Sequence, residues 1–408
     1  MKQKREFPSV TVTKKQEFSI RTGHPWVYED ELTQYPERVE NGSLVDVFGQ
    51  KGNYLGTGFW SGSSKIRIRI LDHNANEKFD EAFFARRAGY AISYRRDVMG
   101  DDFSACRLVH GEADGLPGLT IDRYGDLLVS EVLSYGTDLH KKTIYEAIVH
   151  DLEASGESIR GLYERNEGEL RKKEGLEQYK GWYDLEGKPH PDSVITEITE
   201  NGIRYEVDVE NGQKTGFFLD QKYNRLAVRK LARGKNVLDC CTHTGSFALN
   251  AAAGGAASVT AVDISDTALK MAEANAERNG MKDKLSFVQG DLFDLLPRLI
   301  EEHAHYNFII LDPPAFTKSR RTFQHAKSGY QKINTMAMRL LPRGGYLATA
   351  SCSHFMPTEE FREILKVSAQ EAGVTLRIIE ERHAAPDHPV IAAIPETDYL
   401  KFFLLQIL

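Results

Sequence analysis

From residue 236 onward, short apolar runs alternate with stretches of helical periodicity. Asn236–Cys240, Ser258–Asp263, Leu285–Val288, Tyr306–Leu311 and Gly345–Ala350 read as strands. Ser246–Ala253, Ser265–Asn279, Leu292–Glu302, Tyr330–Leu341 and Glu359–Gly373 read as helices, and closing strands are expected at Leu376–Glu380 and Tyr399–Leu408. Strand–helix alternation of this length predicts a doubly wound α/β sheet. In such sheets reactive groups and ligands collect at the carboxyl ends of the strands.

The first third reads differently. Val10–Thr13, Ser43–Phe48 and Tyr54–Trp60 have strand character, and Lys65-Ile66-Arg67-Ile68-Arg69-Ile70 alternates strictly between basic and apolar residues. That period of two predicts a half-buried strand with Lys65, Arg67 and Arg69 on its outer face. The plain reading is a solvated face; the alternative is contact with phosphates. Phe79–Val98 predicts a helix. Arg107–Leu119 is a turn segment feeding strands around Tyr124-Gly125-Asp126, and a helix follows near Leu139–Leu152. The charged stretch Glu164–Lys180 reads as a solvated loop or helix face. A hairpin is expected at Thr199–Tyr205, with Asn201-Gly202 at the turn.

Length and composition narrow the class. At 408 residues the chain has room for two or three domains. Its 41% hydrophobic and 27% charged content is that of an ordinary globular protein. The net charge of −7 argues against a uniformly basic nucleic-acid binder, but the segments differ: about +2 over 1–72, about −10 over 73–200 and about +1 over 201–408. A basic groove outside the middle third is therefore compatible with the charge. The four cysteines, Cys106, Cys240, Cys241 and Cys352, form no C-x-x-C pair and no zinc-spaced cluster. The expectation is a reduced, cytoplasmic chain without a metal. Met1–Glu6 has no apolar signal core, and no run of about 18 apolar residues predicts a membrane span.

Two constellations carry chemistry. In the first, a strand ends at Asp239, a turn follows through Cys241-Thr242-His243-Thr244-Gly245, and a helix begins near Ser246. Free N–H groups at a helix start suit a carboxylate or a phosphate. The next strand ends at Asp263, placed to accept hydrogen bonds from ribose hydroxyls. The third leads into Gln289-Gly290-Asp291, placed to meet an adenine amino group. Each acid alone could be a helix N-cap; three at successive strand ends favour a nucleoside-containing cofactor. G-x-G-x-x-G is absent, which counts against a nicotinamide dinucleotide.

In the second, Asn307–Leu311 delivers Asp312-Pro313-Pro314, and a later strand delivers Cys352. Rigid prolines stop the strand and aim backbone carbonyls. A thiolate can attack carbon 6 of a pyrimidine and make carbon 5 nucleophilic. The plain alternatives are strand termination by proline and an inert buried cysteine. His354 is a weak candidate base. Together the two constellations predict a methyltransferase using S-adenosylmethionine.

These residues resemble the RlmI-type large-subunit ribosomal RNA 5-cytosine methyltransferases over nearly the whole chain. Gly23-His24-Pro25-Trp26-Val27-Tyr28 and the Lys65–Ile70 strand look like that family's PUA domain. Arg107–Leu119 with Ile121–Asp126 looks like its central domain, and Gly212–Gln221 like the opening of its catalytic domain. One departure is Cys241-Thr242-His243-Thr244, where relatives often carry an aromatic residue before Thr-Gly. The resemblance implies an α/β fold: a Rossmann-like class I methyltransferase domain at 195–408, preceded by a small β-barrel PUA-like domain at 1–72 and a central α+β domain at 73–194. It implies S-adenosyl-L-methionine held by Phe218, Asp239, Thr244, Gly245, Asp263, Ile264, Gly290, Asp291, Asp312 and Pro313. Cys352 and Asp312 would be catalytic, and Lys65, Arg67 and Arg69 would contact RNA. The implied partner is 23S ribosomal RNA, with no membrane and no metal, and a homodimer as the allowed assembly. The competing expectations are an RNA N-methyltransferase guided by Asp312-Pro313-Pro314, a non-catalytic RNA-binding assembly factor and, more distantly, a dehydrogenase.

Overall fold

Strands buried on both faces read as near-continuous apolar runs, and central strands of the second half of the chain do so, Phe308–Leu311 being buried throughout. The structure, a computed structural model, describes residues 7–317 and 320–408. Met1–Glu6, where a signal core was not expected, lies outside the described residues. Seven strands form one sheet: β1 (Asn236–Cys240), β2 (Ser258–Asp263), β3 (Leu285–Gln289), β4 (Phe308–Leu311), β5 (Tyr346–Ser351), β6 (Leu376–Arg382) and β7 (Lys401–Ile407). Their order is β3-β2-β1-β4-β5-β7-β6. β1 to β5 pair in parallel, whereas β7 runs antiparallel to both β5 and β6. The order reverses at β1 and β4, so a crevice is expected beyond the carboxyl ends of those strands.

Alternate side chains of β1, β4, β5 and β7 enter two separate cores. Leu238, Ile309, Leu311, Leu347 and Phe403 pack with the helices Leu292–Glu301, Phe323–Leu340 and Thr358–Ala372. Val237, Phe308, Ile310, Ala348 and Phe402 pack on the other face with Lys222–Leu231 and Ser246–Ala253. The doubly wound α/β expectation is met, with small boundary shifts. One helix, Lys222–Leu231, was not anticipated; it buries Lys222, Asn224 and Arg225, polar residues that mask its apolar stripe.

Contacts divide the chain into two units. One comprises Met1–Ile198, Val207–Leu219 and Pro386–Thr397, the other Thr199–Glu206, Asp220–Ala385 and Asp398–Leu408. The seven-stranded sheet lies in the latter. The former holds two sheets. A six-stranded sheet has the order Trp26–Tyr28, Ile66–Asp72, Tyr54–Trp60, Leu44–Phe48, Ser9–Val12, Leu32–Gln34. It closes over Val10, Val12, Val45, Val47, Trp60 and Ile68, and over Ile20 of a short helix capped by Thr13. A five-stranded sheet, Tyr179–Trp182, Gly161–Asn166, Leu127–Val132, Leu119–Tyr124 and Ala105–His110, is accompanied by the helices Glu81–Met99 and Tyr135–Ala154. The expected hairpin is present as Ile195–Glu200 and Ile203–Asp208, with Asn201 and Gly202 both at positive φ, as its two-residue turn requires.

Two surface expectations need correction. Glu164–Lys180 is not a solvated loop. It contains a strand and a short helix, and Glu164, Asn166, Arg171 and Glu174 are buried. Glu164 accepts from Lys141, Tyr145, Tyr179 and Asn166. Arg171 donates to Asp138 and to the Val132 carbonyl. The Lys65–Ile70 strand likewise does not present a free basic face. Arg69 is only 9% exposed and bonds Glu174 at 2.7 Å, and Arg67 pairs with Glu29. Lys65, just before the strand, is exposed. Sequence alternation marks the two faces of a strand but not which face another segment covers.

In the unit that holds the seven-stranded sheet, Glu200 and Arg225 form a buried ion pair. Both side chains are buried, and the guanidinium fork meets the carboxylate at 2.6 and 2.7 Å. Removing one partner strands a buried charge, so Glu200→Gln is expected to destabilise the protein by about 3 kcal/mol in denaturant unfolding. The double change Glu200→Met with Arg225→Met should cost less than the single one. A single variant as stable as wild type would show the pair to be dispensable.

Candidate active site

The carboxyl end of β1 is built under backbone strain. Cys241, His243 and Gly245 all have positive φ, at 61°, 51° and 78°. For the two non-glycine residues this costs of order 1 kcal/mol each, which tertiary contacts must offset. The Thr242 N–H bonds the Val262 carbonyl, and its hydroxyl bonds Asp239 Oδ2 at 2.6 Å. Gly245 has no tolerance for a side chain, because a Cβ there would stand 2.9 Å from the Ala272 Cβ. The result is a tight strand-to-helix turn leading into Ser246–Ala253.

The acids expected at successive strand ends are there, but in different environments. Asp239 is fully buried, and burial pushes its carboxyl up to about 7; the charge of Asp312 adds to this and the Thr242 hydroxyl opposes it. Asp263 is half-buried and accepts backbone N–H groups from His243 and Ser265, each at 2.9 Å. It is not the cap of the next helix, since Ser265 takes that role. Each Asp263 oxygen therefore keeps one acceptor position for a ligand hydroxyl. Asp291 is exposed and does cap its helix, accepting from Phe293 N at 2.7 Å. Between these acids stands Ile264, 66% exposed, an apolar surface open to water beside polar groups. Gly290 has open space where a side chain would be.

The Asp-Pro-Pro segment follows β4. The Gln221 amide donates to Asp312 Oδ1 at 2.9 Å. Desolvation, aided by the charge of Asp220, pushes Asp312 up to about 7, with Arg225 and Gln221 opposing. Asp220 itself is held by the Tyr399 hydroxyl at 2.6 Å. Cys352 follows β5, the parallel neighbour of β4, and is half-buried. Its Sγ lies 4.0 Å from the Pro313 carbonyl oxygen, a contact too long for a strong bond. Next to it, the Ser353 hydroxyl bonds the Thr317 carbonyl at 2.9 Å, which ties the two loops together. His354 is exposed and packs edge-on against Phe355. Burial pushes the Cys240 and Cys241 thiols up, so neither is set up as a nucleophile.

Asp239, Thr244, Gly245, Asp263, Ile264, Gly290, Asp291, Asp312, Pro313 and Cys352 thus all lie at the carboxyl ends of β1 to β5 or in the loops that follow. Phe218, half-buried, belongs to Val207–Leu219 in the other unit, as do Lys65, Arg67 and Arg69. Gln221, Asp220 and Lys401 were not singled out from sequence. Gln221 had a local signal in the Gly212–Gln221 motif, but its partner lies 91 positions away.

In the same unit as those basic residues, the Arg107–Leu119 motif proves to be a structural hub. The Arg107 guanidinium forks onto Asp122 at 2.7 and 2.9 Å, and buried Arg95 pairs with Asp114. Thr215 donates to Asp122, and the Tyr124 hydroxyl lies 2.8 Å from the Thr215 hydroxyl. Among the described residues no group of His, Cys, Asp and Glu is arranged to hold a metal ion, and no helix is long and apolar enough to cross a membrane.

Residues 182–403 match the family described as S-adenosylmethionine-dependent methyltransferase, and residues 10–73 match the PUA-like domain family. The seven-stranded sheet with its antiparallel β7 therefore belongs to a methyltransferase whose cofactor is S-adenosyl-L-methionine. A protein from Streptococcus mutans described as a SAM-dependent methyltransferase superimposes with a TM-score of 0.81. It is 22% identical, with 98% of this chain and 99% of that one covered, and so shares the fold. A methyltransferase structure complexed with SAH aligns equally well. The ribosomal RNA large subunit methyltransferase I of Klebsiella pneumoniae (strain 342) is 37% identical over 404 residues, 98% of this chain and 99% of its own length. The protein of the same name from Shewanella amazonensis is 39% identical over 393 residues, covering 96% and 97%. The chain belongs to the ribosomal RNA large subunit methyltransferase I family.

The site fits its cofactor by chemistry. Asp239 Oδ1 and Thr244 Oγ1 are buried without a hydrogen-bond partner of acceptable geometry. Unsatisfied acceptors at a strand end suit the ammonium and hydroxyl groups of a methionine nucleoside. The carboxyl of Asp239 also sets a pH dependence. Its charged form is disfavoured on folding, so the native state keeps a proton that the unfolded chain releases between about pH 4 and pH 7. Its contribution to stability is therefore lost as pH rises through that window. In cofactor-free protein, Asp239→Asn is expected to gain about 2 kcal/mol on wild type between pH 5 and pH 8. A difference that stays flat across that range in denaturant titrations would contradict the assignment.

Proposed function

We propose that this protein methylates carbon 5 of a cytosine in ribosomal RNA of the large subunit, with Cys352 as the nucleophile. The observation that carries this reading is the thiol of Cys352 set against the Pro313 carbonyl, beside Asp312, at the ends of two adjacent parallel strands. Purely structural roles would not require a half-buried thiol and a carboxyl that titrates near neutrality at one strand edge. The names of the relatives support ribosomal RNA as the substrate.

Cys352 attacks carbon 6 of the ring, forming an S–C bond and moving the 5,6 π pair toward carbon 5. Asp312, about half protonated near pH 7, donates a hydrogen bond to ring nitrogen 3 and disperses the charge that develops there. Gln221 holds the carboxyl in place. S-adenosylmethionine supplies an electrophilic methyl group, and carbon 5 accepts it. Loss of the carbon-5 proton to a base then restores the double bond and expels the Cys352 thiolate. A paired cytosine must leave its stack to reach the thiol.

On this reading Asp263 binds the ribose hydroxyls, Ile264 packs on adenine, and Gly290 and Asp291 border its amino edge. Asp239, Thr244 and Gly245 face the methionine end, and Pro313 lies beside the methyl donor. The domains are 1–72, 73–194 and 195–408, with the PUA-like domain contributing backbone contacts to RNA. Lys65 is the exposed candidate there, since Arg67 and Arg69 are already paired.

Mass spectrometry of ribosomal RNA nucleosides tests the reaction, using a deletion strain complemented with wild type or Cys352→Ala. The expected result is loss of 5-methylcytidine on deletion and its return with wild type alone. Return with Cys352→Ala would sink the thiolate mechanism, and loss of an N-methylated nucleoside instead would favour amino-methylation guided by Asp312-Pro313-Pro314. For the cofactor, Asp263→Ala is expected to weaken S-adenosylmethionine binding about tenfold or more in calorimetry. An unchanged affinity would remove Asp263 from the site.

A further inference from the structure

β7 is apolar for four consecutive residues, Phe402, Phe403, Leu404 and Leu405, all buried. It begins with a lysine. Lys401 is 2% exposed and stands opposite Ser351, the residue before Cys352, in the antiparallel ladder. Its Nζ donates to the Ser353 carbonyl at 2.7 Å and to the Tyr399 carbonyl at 2.8 Å. The ammonium is thus bonded to the backbone immediately after the thiol, and both of these partners are neutral.

Burying an ammonium on neutral acceptors is expensive. A methionine or leucine would extend the apolar strand without that cost. Burial pulls the Lys401 ammonium down to about 8, while the negative charges of Asp398 and of the Cys352 thiolate pull it back up. Asp312, at the end of the neighbouring strand β4, would repel a thiolate when ionised, whereas the Tyr330 hydroxyl, on the helix Phe323–Leu340, is kept neutral by burial and, in part, by the Cys352 charge.

We propose that Lys401 is a positioning residue for Cys352: its buried ammonium fixes the turn that carries the thiol and stabilises the thiolate before attack. The proposal rests on the reading of Cys352 as the nucleophile and deepens it. No proton needs to pass from Lys401 to substrate. The lysine acts by charge and by its two hydrogen bonds, in the manner of the cations that activate nucleophilic cysteines elsewhere.

The test is the pH profile of iodoacetamide alkylation at Cys352 in the full-length, cofactor-free protein, read from the Cys352 peptide by mass spectrometry. Wild type is expected to show a midpoint below that of the same cysteine in the denaturant-unfolded chain. Lys401→Gln keeps a hydrogen-bond donor but removes the charge, and should raise the midpoint by about one pH unit. Lys401→Arg should restore most of the shift, and circular dichroism together with S-adenosylmethionine calorimetry reports whether each variant is folded. Equal midpoints in wild type and Lys401→Gln would overturn the proposal. So would a wild-type midpoint at or above that of the unfolded chain, which decides the matter even where Lys401→Gln does not fold. The alkylation profile does not depend on methylation. If Cys352→Ala abolishes 5-methylcytidine but the profile does not move, Lys401 is wrong and the nucleophile stands. If Cys352→Ala still forms 5-methylcytidine, the nucleophile reading fails, and the profile then reports only whether Lys401 tunes an inert thiol.

Discussion

Desolvation of carboxyl groups at one edge of a parallel sheet is the constraint on which the rest of the site depends. The central strands β1, β4 and β5 are buried on both faces, so the polar chemistry open to a ligand is confined to their carboxyl ends. Asp239 and Asp312 end adjacent strands, and Asp220 adds a third acid nearby. Ionising them together in so little water is costly. The protein answers with neutral donors, the hydroxyls of Thr242 and Tyr399 and the amide of Gln221. Two carboxyls are left titrating near pH 7.

Backbone strain serves the same end. Three left-handed residues in the turn after β1 are tolerated because the turn is bonded to β2 and packed against Ala272. The turn holds the helix start against the sheet and leaves the Thr244 hydroxyl and one Asp239 oxygen, Oδ1, buried without a hydrogen-bond partner. Strain of this kind collects where binding needs a geometry that an ordinary turn would not provide. The loops after β4 and β5 are joined through Ser353 and Thr317.

Much of the architecture was legible from periodicity. The strands carrying Asp239, Asp263, Asp312 and Cys352 could be read as short apolar runs, because a strand covered on both faces has nowhere to put a polar residue. The unanticipated helix Lys222–Leu231 was hidden because it buries charged residues as ion pairs, as Arg225 does with Glu200. The same effect misled the reading of Glu164–Lys180, where charge suggested solvent and the fold supplied partners. Arg69 shows the limit of alternation, since its face is covered by Glu174, 105 positions away in the chain.

By itself, the sequence determined the order of strands and helices, the residues that end them and the chemical types gathered there. These follow from local rules: the period of a strand, the stop imposed by proline and the turn that glycine permits. Only the tertiary structure decided which of those residues meet. The antiparallel insertion of β7 between β5 and β6 brings Lys401 beside a cysteine nearly 50 positions earlier in the chain. Gln221 reaches Asp312, and Asp239 and Asp312 acquire their neutral-range titration, through contacts between segments far apart in sequence. Burial and charge proximity are properties of three-dimensional neighbours, and they set whether an acid is ionised and whether a base is buried.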